Sequence, residues 1–474
     1  MKEIPDRHKE IFQVVGRAAD EIEQPAYVVG GYVRDYFLGR LPESGKMDID
    51  FVTVGSGIEL AEKAAELLGA KKVAVFKRFG TAQVHIDDLD LEFVGARKES
   101  YRRDSRKPVV EDGTLEDDQK RRDLTINTLS WSLNPDSFGV LVDPFNGVQD
   151  LKRKRIRTPV DPFSTFDDDP LRMMRAVRFA SQLQFRIEEN THKAIVEMAP
   201  RLEIISKERI ADELNKIVMS PKPSVGFKLL LESRLLEQFF PEMARLKGVD
   251  EVKGVRHKDN FWHTLEVLDN VAEVSDNLWL RWAAIMHDIA KPPTKKFVEG
   301  AGWTFHGHDA LGAKWVPRIF RRLGLPLDER MRFVRKLVRL HLRPIALVSE
   351  EVSDSAIRRL IYEAGNDLDD LMALCRADIT SKNEKKVKQY LANFDKVERR
   401  IQEVEELDRI RNWKNPVSGE DIMNELGVGE GPVIGKIKEA VKEAILEGEI
   451  PNERKEALDY MKKISDRYLE KKNS

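Results

Sequence analysis

Cysteine is nearly absent from these 474 residues: Cys375 stands alone, so no internal disulfide can form, and this usage fits a reducing compartment. Long apolar runs are missing as well. No uninterrupted stretch approaches the roughly 18 residues that a membrane-spanning helix needs, and the start, Met-Lys-Glu-Ile-Pro-Asp, has no apolar signal core. Charge of one sign is not in excess either. Lys and Arg number 80 against 82 Asp and Glu, a net charge of −2, so a nucleic-acid partner needs a local basic face rather than a global surplus. These absences predict a soluble cytoplasmic protein with no membrane partner, and its length suggests about three domains. They carry no signal of oligomeric state.

The most informative stretch is Val28 to Phe51, which reads as strand, glycine turn, short helix, loop, and a second strand carrying Asp48 and Asp50. Residues two apart on a strand project from one face. The two carboxylates therefore point into one space, and a strand that buries charge there needs a cation. Mg²⁺ suits hard oxygen ligands and commonly sits between one or two carboxylates and a nucleotide's phosphates. Gly30 and Gly31, lacking Cβ atoms, let the backbone approach a ligand, and the amides at the start of the following helix face anionic oxygens.

In this order and spacing, the stretch resembles the signature of the DNA polymerase β nucleotidyltransferase superfamily. Its closer wording, Gly-Gly-Tyr-Val-Arg-Asp with Asp48 and Asp50, is similar to class II tRNA nucleotidyltransferases and bacterial poly(A) polymerases. The resemblance covers about the first half of the chain strongly and about the last fifty residues weakly. It implies a third carboxylate from a neighbouring strand, for which Glu92 in Leu89 to Val94 is the candidate; the alternative is an outward residue on an edge strand. Residues 97–115, charged and without apolar period, read as a mobile loop. Lys120 to Leu129 is close to the family's Arg-Arg-Asp-Phe-Thr-Ile-Asn-Ala-Leu, with Arg122 as a phosphate ligand. Asp123 is expected to cap a following helix and, with Asn127 one turn on, to reach a sugar or position phosphates. Asn146 stands where the family's second motif has glycine, and Asn tolerates the left-handed conformation the turn needs.

Asp167 to Phe179 matches the family's Glu-Asp-x-x-Arg, with Asp168 in place of Glu and Asp169 and Arg172 as an amino-acid template for the incoming base. A carboxylate acceptor beside a guanidinium donor can pair with the edges of cytosine or adenine and clashes with guanine or uracil. The bland reading is a helix start with aspartates favoured by the dipole. Arg34 and Arg175, inside the quoted motifs, complete the expected nucleotide-binding set.

Five of the nine histidines, His263, His287, His306, His308 and His341, fall in one helical region. Imidazoles and carboxylates drawn from separate helices are how a bundle builds a divalent metal site. The region resembles the HD phosphohydrolase superfamily, with His263, His287, Asp288 and Asp378 at its basic positions. His308 and His341 match the additional ligands of fuller members, which implies room for two metals. Imidazole-rich ligation favours Mn²⁺, Ni²⁺ or Fe²⁺.

The reading is an α+β chain. A small mixed-sheet polymerase β-like head (1–155) precedes an all-α neck (156–245), an HD body (246–385) and a helical tail that contacts tRNA (386–474). Its expected activity is template-independent addition of C and A to the tRNA 3′ end from CTP and ATP, with Asp48, Asp50 and Glu92 catalytic. The alternatives are a poly(A) polymerase, a partial CC- or A-adding enzyme, and a nucleotide-signalling regulator.

Overall fold

Alternation along one strand dictates how the first part of the molecule is built. The computed structural model describes residues 4–42, 45–102, 105–256, 258–347, 353–380, 383–408 and 413–469. It divides into two compact units, Met1–Pro241 and Glu242–Ser474. The strands of the first unit include β1 (Ala26–Val29), β2 (Met47–Thr53), β3 (Val73–Phe76), β4 (Thr81–Ile86), β5 (Leu89–Gly95), β6 (Arg97–Arg102), β7 (Ser105–Asp112), β8 (Ser130–Ser132) and β9 (Leu141–Val142). Seven of them form a sheet in the order β3-β4-β5-β2-β1-β8-β9. The sheet is mixed, because β2 and β5 are parallel and their other neighbours antiparallel.

On β2 and β5 the residues Ile49, Phe51, Leu91 and Phe93 are buried. They pack beneath α1 (Asp6–Glu21) and α3 (Gly57–Leu68), with α2 (Gly31–Phe37) between them in sequence. Phe51 stacks on Phe93 with ring centroids 4.9 Å apart, and Phe12 of α1 meets Phe51 edge-on at 5.9 Å. Side chains alternate across a sheet, so Asp48, Asp50, Asp90 and Glu92 must face away from this core. A one-residue slip would expose four large apolar groups, each worth about 1.5–3 kcal/mol when buried, and sink the carboxylates in their place. The register is therefore locked by the core, and the acids inherit their position from it. A parallel pair needs a crossover, which α3 opens: Ser56 accepts from the Glu59 amide at its start, and Gly69 ends it at φ 67°.

Residues 97–115 are not the mobile loop that their composition predicts. Those of them that are described form the hairpin β6–β7, leading into a short helix, Leu115–Lys120. Arg97 lies opposite Asp112 and Lys98 opposite Glu111. Opposite charges across a strand pair are stabilising, so four of the charges that hide these strands from an apolar-period reading match across their open end. The first unit then becomes helical, through Pro162–Asp168, α4 (Leu171–Leu183), Glu189–Met198, α5 (Lys207–Val218) and Pro223–Glu232.

The second unit is built on α6 (Asn260–Val274), α7 (Leu278–Met286), α8 (His308–Leu323), α9 (Glu329–Leu340), α10 (Leu368–Asp378) and the long α11 (Glu384–Asp408). Phe394, Val397, Ile401 and Val404, three or four residues apart, form a buried stripe on α11. Tyr390, which continues the same spacing four residues earlier, is 52% exposed. The residues around it, 385–392, are exposed or half-buried, so among the described residues the first turns of that helix are only partly covered. The last three helices hold a separate apolar cluster that includes Ile422, Ile437, Val441 and Met461. Among the described residues no helix is long and apolar enough to cross a membrane.

Candidate functional site

The parallel register sets Asp50 beside Glu92 and Asp48 beside Asp90 on the face opposite the helices. Asp90 is engaged by His85 at 2.8 Å and Lys46 at 3.3 Å, which leaves Asp48, Asp50 and Glu92. Two expectations change here. Asp48 is exposed and Asp50 half-buried, so the strand does not bury both charges, because its polar face opens outward. Glu92 is not on an edge strand, since β5 lies between β4 and β2. Burial pushes the Asp50 carboxyl above its usual range; Arg122 opposes this, while Asp48 and Asp118 add to it. Burial, then Asp50 and Asp48, push Glu92 up as well. Asp48 raises both of its neighbours and Asp50 raises Glu92, so this all-oxygen set fits a hard divalent cation, which would relieve the repulsion.

Gly30 precedes α2 with φ 69°, and a Cβ there would meet Arg122 Nη1 at 2.9 Å and Asp50 Oδ2 at 3.9 Å. The positive φ favours glycine here, and a side chain would also press on the Arg122 guanidinium. At Gly31 a Cβ would meet only Arg34 Nη2, at 3.8 Å, so the missing side chain leaves room on the turn.

Arg122 is aimed at this turn by Asp118, a fully buried residue that the sequence reading did not single out. Asp118 Oδ2 accepts from Arg122 Nε at 3.1 Å, and Oδ1 accepts from Arg121 Nε at 3.0 Å. Arg122 Nη1 also donates to the Asn127 carbonyl at 3.2 Å. Asp123 does not cap a helix, because Thr125–Asn127 is a single 3₁₀ turn. Its Oδ1 instead accepts from the Leu124 amide and from Asn127 Nδ2, at 2.8 and 2.9 Å, and its Oδ2 accepts from Arg175 at 2.6 Å. Burial would raise the Asp123 carboxyl, but Arg175 and Asn127 outweigh it and hold it low. Arg34 donates to Asn127 Oδ1 at 2.9 Å and is gripped by Asp35. Asn146 takes the left-handed conformation expected of it, at φ 59°.

Asp169 lies two residues before α4, and Arg172 is in its first turn. Asp169 Oδ1 accepts from the Leu171 amide at 3.1 Å, and its Oδ2 from Arg209 of α5 at 2.8 Å. Arg172 is buried and donates to the Thr165 carbonyl at 3.2 Å. Asp168 ends the preceding helix. Phe179 was also missed as a site element. The guanidiniums of Arg34, Arg175 and Arg178 lie 5.0, 5.8 and 4.0 Å from its ring centroid, and Glu213 of α5 holds Arg178 at 2.7 Å. Arg178 and Phe179 lay inside the quoted motif, which was the available signal.

In the second unit, helix ends converge. His287 and Asp288 follow α7, His341 follows α9, His308 opens α8, Asp378 closes α10 and His263 lies on α6. Two trios have donor atoms within 4.8 Å of one another: His263, His287 and Asp378, and Asp288, His308 and His341. Asp288 links them. Its Oδ2 lies 3.2 Å from His287 Nε2 and 3.5 Å from His263 Nε2, while Oδ1 lies 3.3 Å from His308 Nε2 and 3.9 Å from His341 Nε2. Lys291 reaches Asp288 Oδ2 at 2.5 Å. His306 is exposed and belongs to neither trio.

His287, His308 and His341 each donate Nδ1–H to a backbone carbonyl, at 2.7, 2.7 and 2.8 Å. When neutral, each then has its lone pair on Nε2, and those of His308 and His341 face each other at 3.3 Å. Facing lone pairs repel unless a cation lies between them, so this donor set fits a divalent metal. Burial first, and then His287, push His341 down to about 4. Burial would lower His287 too, but Asp288 and Asp378 reverse it and raise that ring. The negative charge responsible is what a divalent cation would neutralise.

Three family descriptions match the chain: Poly A polymerase head domain over residues 26–157, Probable RNA and SrmB-binding site of polymerase A over 184–247, and HD domain over 260–382. An A-adding tRNA nucleotidyltransferase of Deinococcus radiodurans is 30% identical over 90% of this chain and 92% of its own length. A CC-adding tRNA nucleotidyltransferase of Thermus thermophilus is 30% identical over 90% of each. An A-adding enzyme of Aquifex aeolicus is 35% identical, over 58% of this chain and 32% of that longer protein. In fold, the chain is similar to the CCA-adding enzyme of Bacillus stearothermophilus solved with CTP, with a TM-score of 0.66 and 23% identity over 98% of both chains.

Proposed function

The chain belongs to the tRNA nucleotidyltransferase family, and from that premise we propose that its first unit adds C and A, taken from CTP and ATP, to the 3′ end of tRNA in the cytoplasm. The observation that carries this reading is the set Asp48, Asp50 and Glu92 on one sheet face, with Asp50 directly beside the Gly30 turn. Mg²⁺ suits this all-oxygen set; when bound by these three residues it would make the RNA 3′-hydroxyl a better nucleophile and neutralise triphosphate charge. The chain supplies the rest. Gly31 leaves the turn open to phosphate oxygens, Arg122 keeps a positive charge beside Asp50, and Arg34 offers a second guanidinium. Asp123 and Asn127, held by each other and by Arg175, present fixed polar groups to a sugar.

Asp168, Asp169 and Arg172 form the base-reading segment, with Arg209 fixing the Asp169 carboxylate as acceptor. Replacing Arg172 with alanine is expected to cost about 1–3 kcal/mol of discrimination, the worth of one bidentate base contact. Incorporation of G and U should rise relative to C and A. Competition among four labelled nucleotides measures it, and an equal loss for all four would rule out the template role.

Since relatives of equal identity include both an A-adding and a CC-adding enzyme, partial activity is the second reading. The chain is incubated with tRNA lacking its 3′ end, or ending in CC, with CTP, ATP or both, and the products are sequenced. Complete CCA on the first tRNA supports the proposal; CC alone, or A only on the second tRNA, supports the partial reading. No addition to either tRNA would refute both.

The second unit is proposed to be a metal-dependent phosphohydrolase using Mn²⁺, Ni²⁺ or Fe²⁺, held by His263, His287, Asp288, His308, His341 and Asp378. Its suggested substrate is a 2′,3′-cyclic or terminal phosphate on damaged RNA. A 3′ end blocked by phosphate has no hydroxyl to attack a nucleotide, so its removal would create the substrate for the first unit.

A further inference from the structure

Three of the four imidazoles in the second unit's centre are oriented alike, and the fourth is not. His287, His308 and His341 give their Nδ1–H to the carbonyls of Ala284, Phe305 and Val338. His263 Nδ1 meets Lys258 Nζ at 3.1 Å and Thr380 Oγ1 at 3.0 Å. An ammonium has no lone pair and can only donate, so Nδ1 must accept. Lys258 also donates to Thr380 Oγ1 at 2.5 Å, which leaves the threonine hydroxyl hydrogen free for the same Nδ1. The neutral ring then carries its proton on Nε2, where it donates to Asp378 Oδ1 at 2.9 Å. A nitrogen that bears a proton cannot ligate a metal.

We propose that Lys258 is a latch on one of two metal positions. While its ammonium holds His263 Nδ1, the position formed by His263, His287 and Asp378 is closed, whereas the position formed by Asp288, His308 and His341 is ready to fill. The inference rests on reading the centre as a divalent metal site. Opening the latch moves the single ring proton from Nε2 to Nδ1, where Thr380 Oγ1 becomes its acceptor, and Lys258 turns away. Glu266, whose Oε2 is 3.8 Å from Lys258 Nζ, offers the ammonium another partner, and the oxygens of a bound phosphate ester would offer a stronger one. Filling is therefore sequential, and ester and second metal assist each other, since each favours the open latch.

The test is calorimetric titration of Mn²⁺ into the metal-stripped full chain, with bound metal counted by elemental analysis. The wild type should bind in two steps, the second weaker by about tenfold or more, the scale on which partners of ligating histidines act. Lys258→Met should tighten the second step about tenfold, and Thr380→Val should weaken it, with the first step unchanged in both. Opposite shifts from two neighbours of one nitrogen do not arise from a loosened fold. An unchanged or weakened second step in Lys258→Met overturns the latch while leaving the metal centre standing. Failure of every form to bind Mn²⁺ overturns the metal centre, and the latch with it.

Discussion

Replacing Asp50 with alanine will abolish nucleotide addition and leave the chain folded. The carboxylate is half-buried and pushed up by burial, with Arg122 opposing and Asp48 and Asp118 adding to the rise, so its removal ends a burial cost and strands no partner. Arg122 keeps its partner, because Asp118 grips it independently. The same holds for Asp48→Ala, whose side chain is exposed. Losing one ligand of a catalytic cation forfeits several kcal/mol, so the rate should fall by about a thousandfold or more. Primer extension on tRNA with Mg²⁺, beside a thermal melt, measures both halves of the claim. A variant that keeps a tenth of the wild-type rate would refute the assignment of these aspartates.

The second large effect is expected at His287 and Asp288. Each oxygen of Asp288 faces a different trio, so the double change His287→Ala, Asp288→Ala should empty both metal positions rather than one. Metal content should fall to background and phosphoester hydrolysis should vanish, while Mg²⁺-dependent addition by the first unit persists. Elemental analysis with the two activity assays separates the outcomes. Retained metal would refute the bridging role, and loss of both activities would mean that the units do not work independently.

Local spacing made much of this legible. Asp48 and Asp50 are two apart, Gly30 and Gly31 adjacent, and Asp123 and Asn127 four apart, so the geometry of one turn or one strand suffices to group them. The histidine cluster was visible because no scatter of buried imidazoles places five in one stretch. What escaped the reading depends on how side chains fold back on near neighbours or meet across distant segments. Asp118 matters because its chain neighbours Arg121 and Arg122 turn back onto it, and Phe179 because arginines from α2 and α4 converge on its ring. Lys258 and Thr380 meet across 122 positions. The hairpin β6–β7 was hidden because charged residues, two pairs of which face each other across it, replace apolar alternation.

The parallel pairing of β2 with β5 also governs how the acid cluster can come into being. Asp50 and Glu92 are about forty residues apart in sequence, and they become neighbours only when that loop closes and the strands join in register. No short peptide bearing the glycine turn and the two aspartates can gather the third carboxylate, whatever its local conformation. During folding the cluster therefore assembles with the sheet's long-range pairing, after the helices that flank it can already form. Refolding followed by cation binding at this site should lag behind the recovery of helical signal.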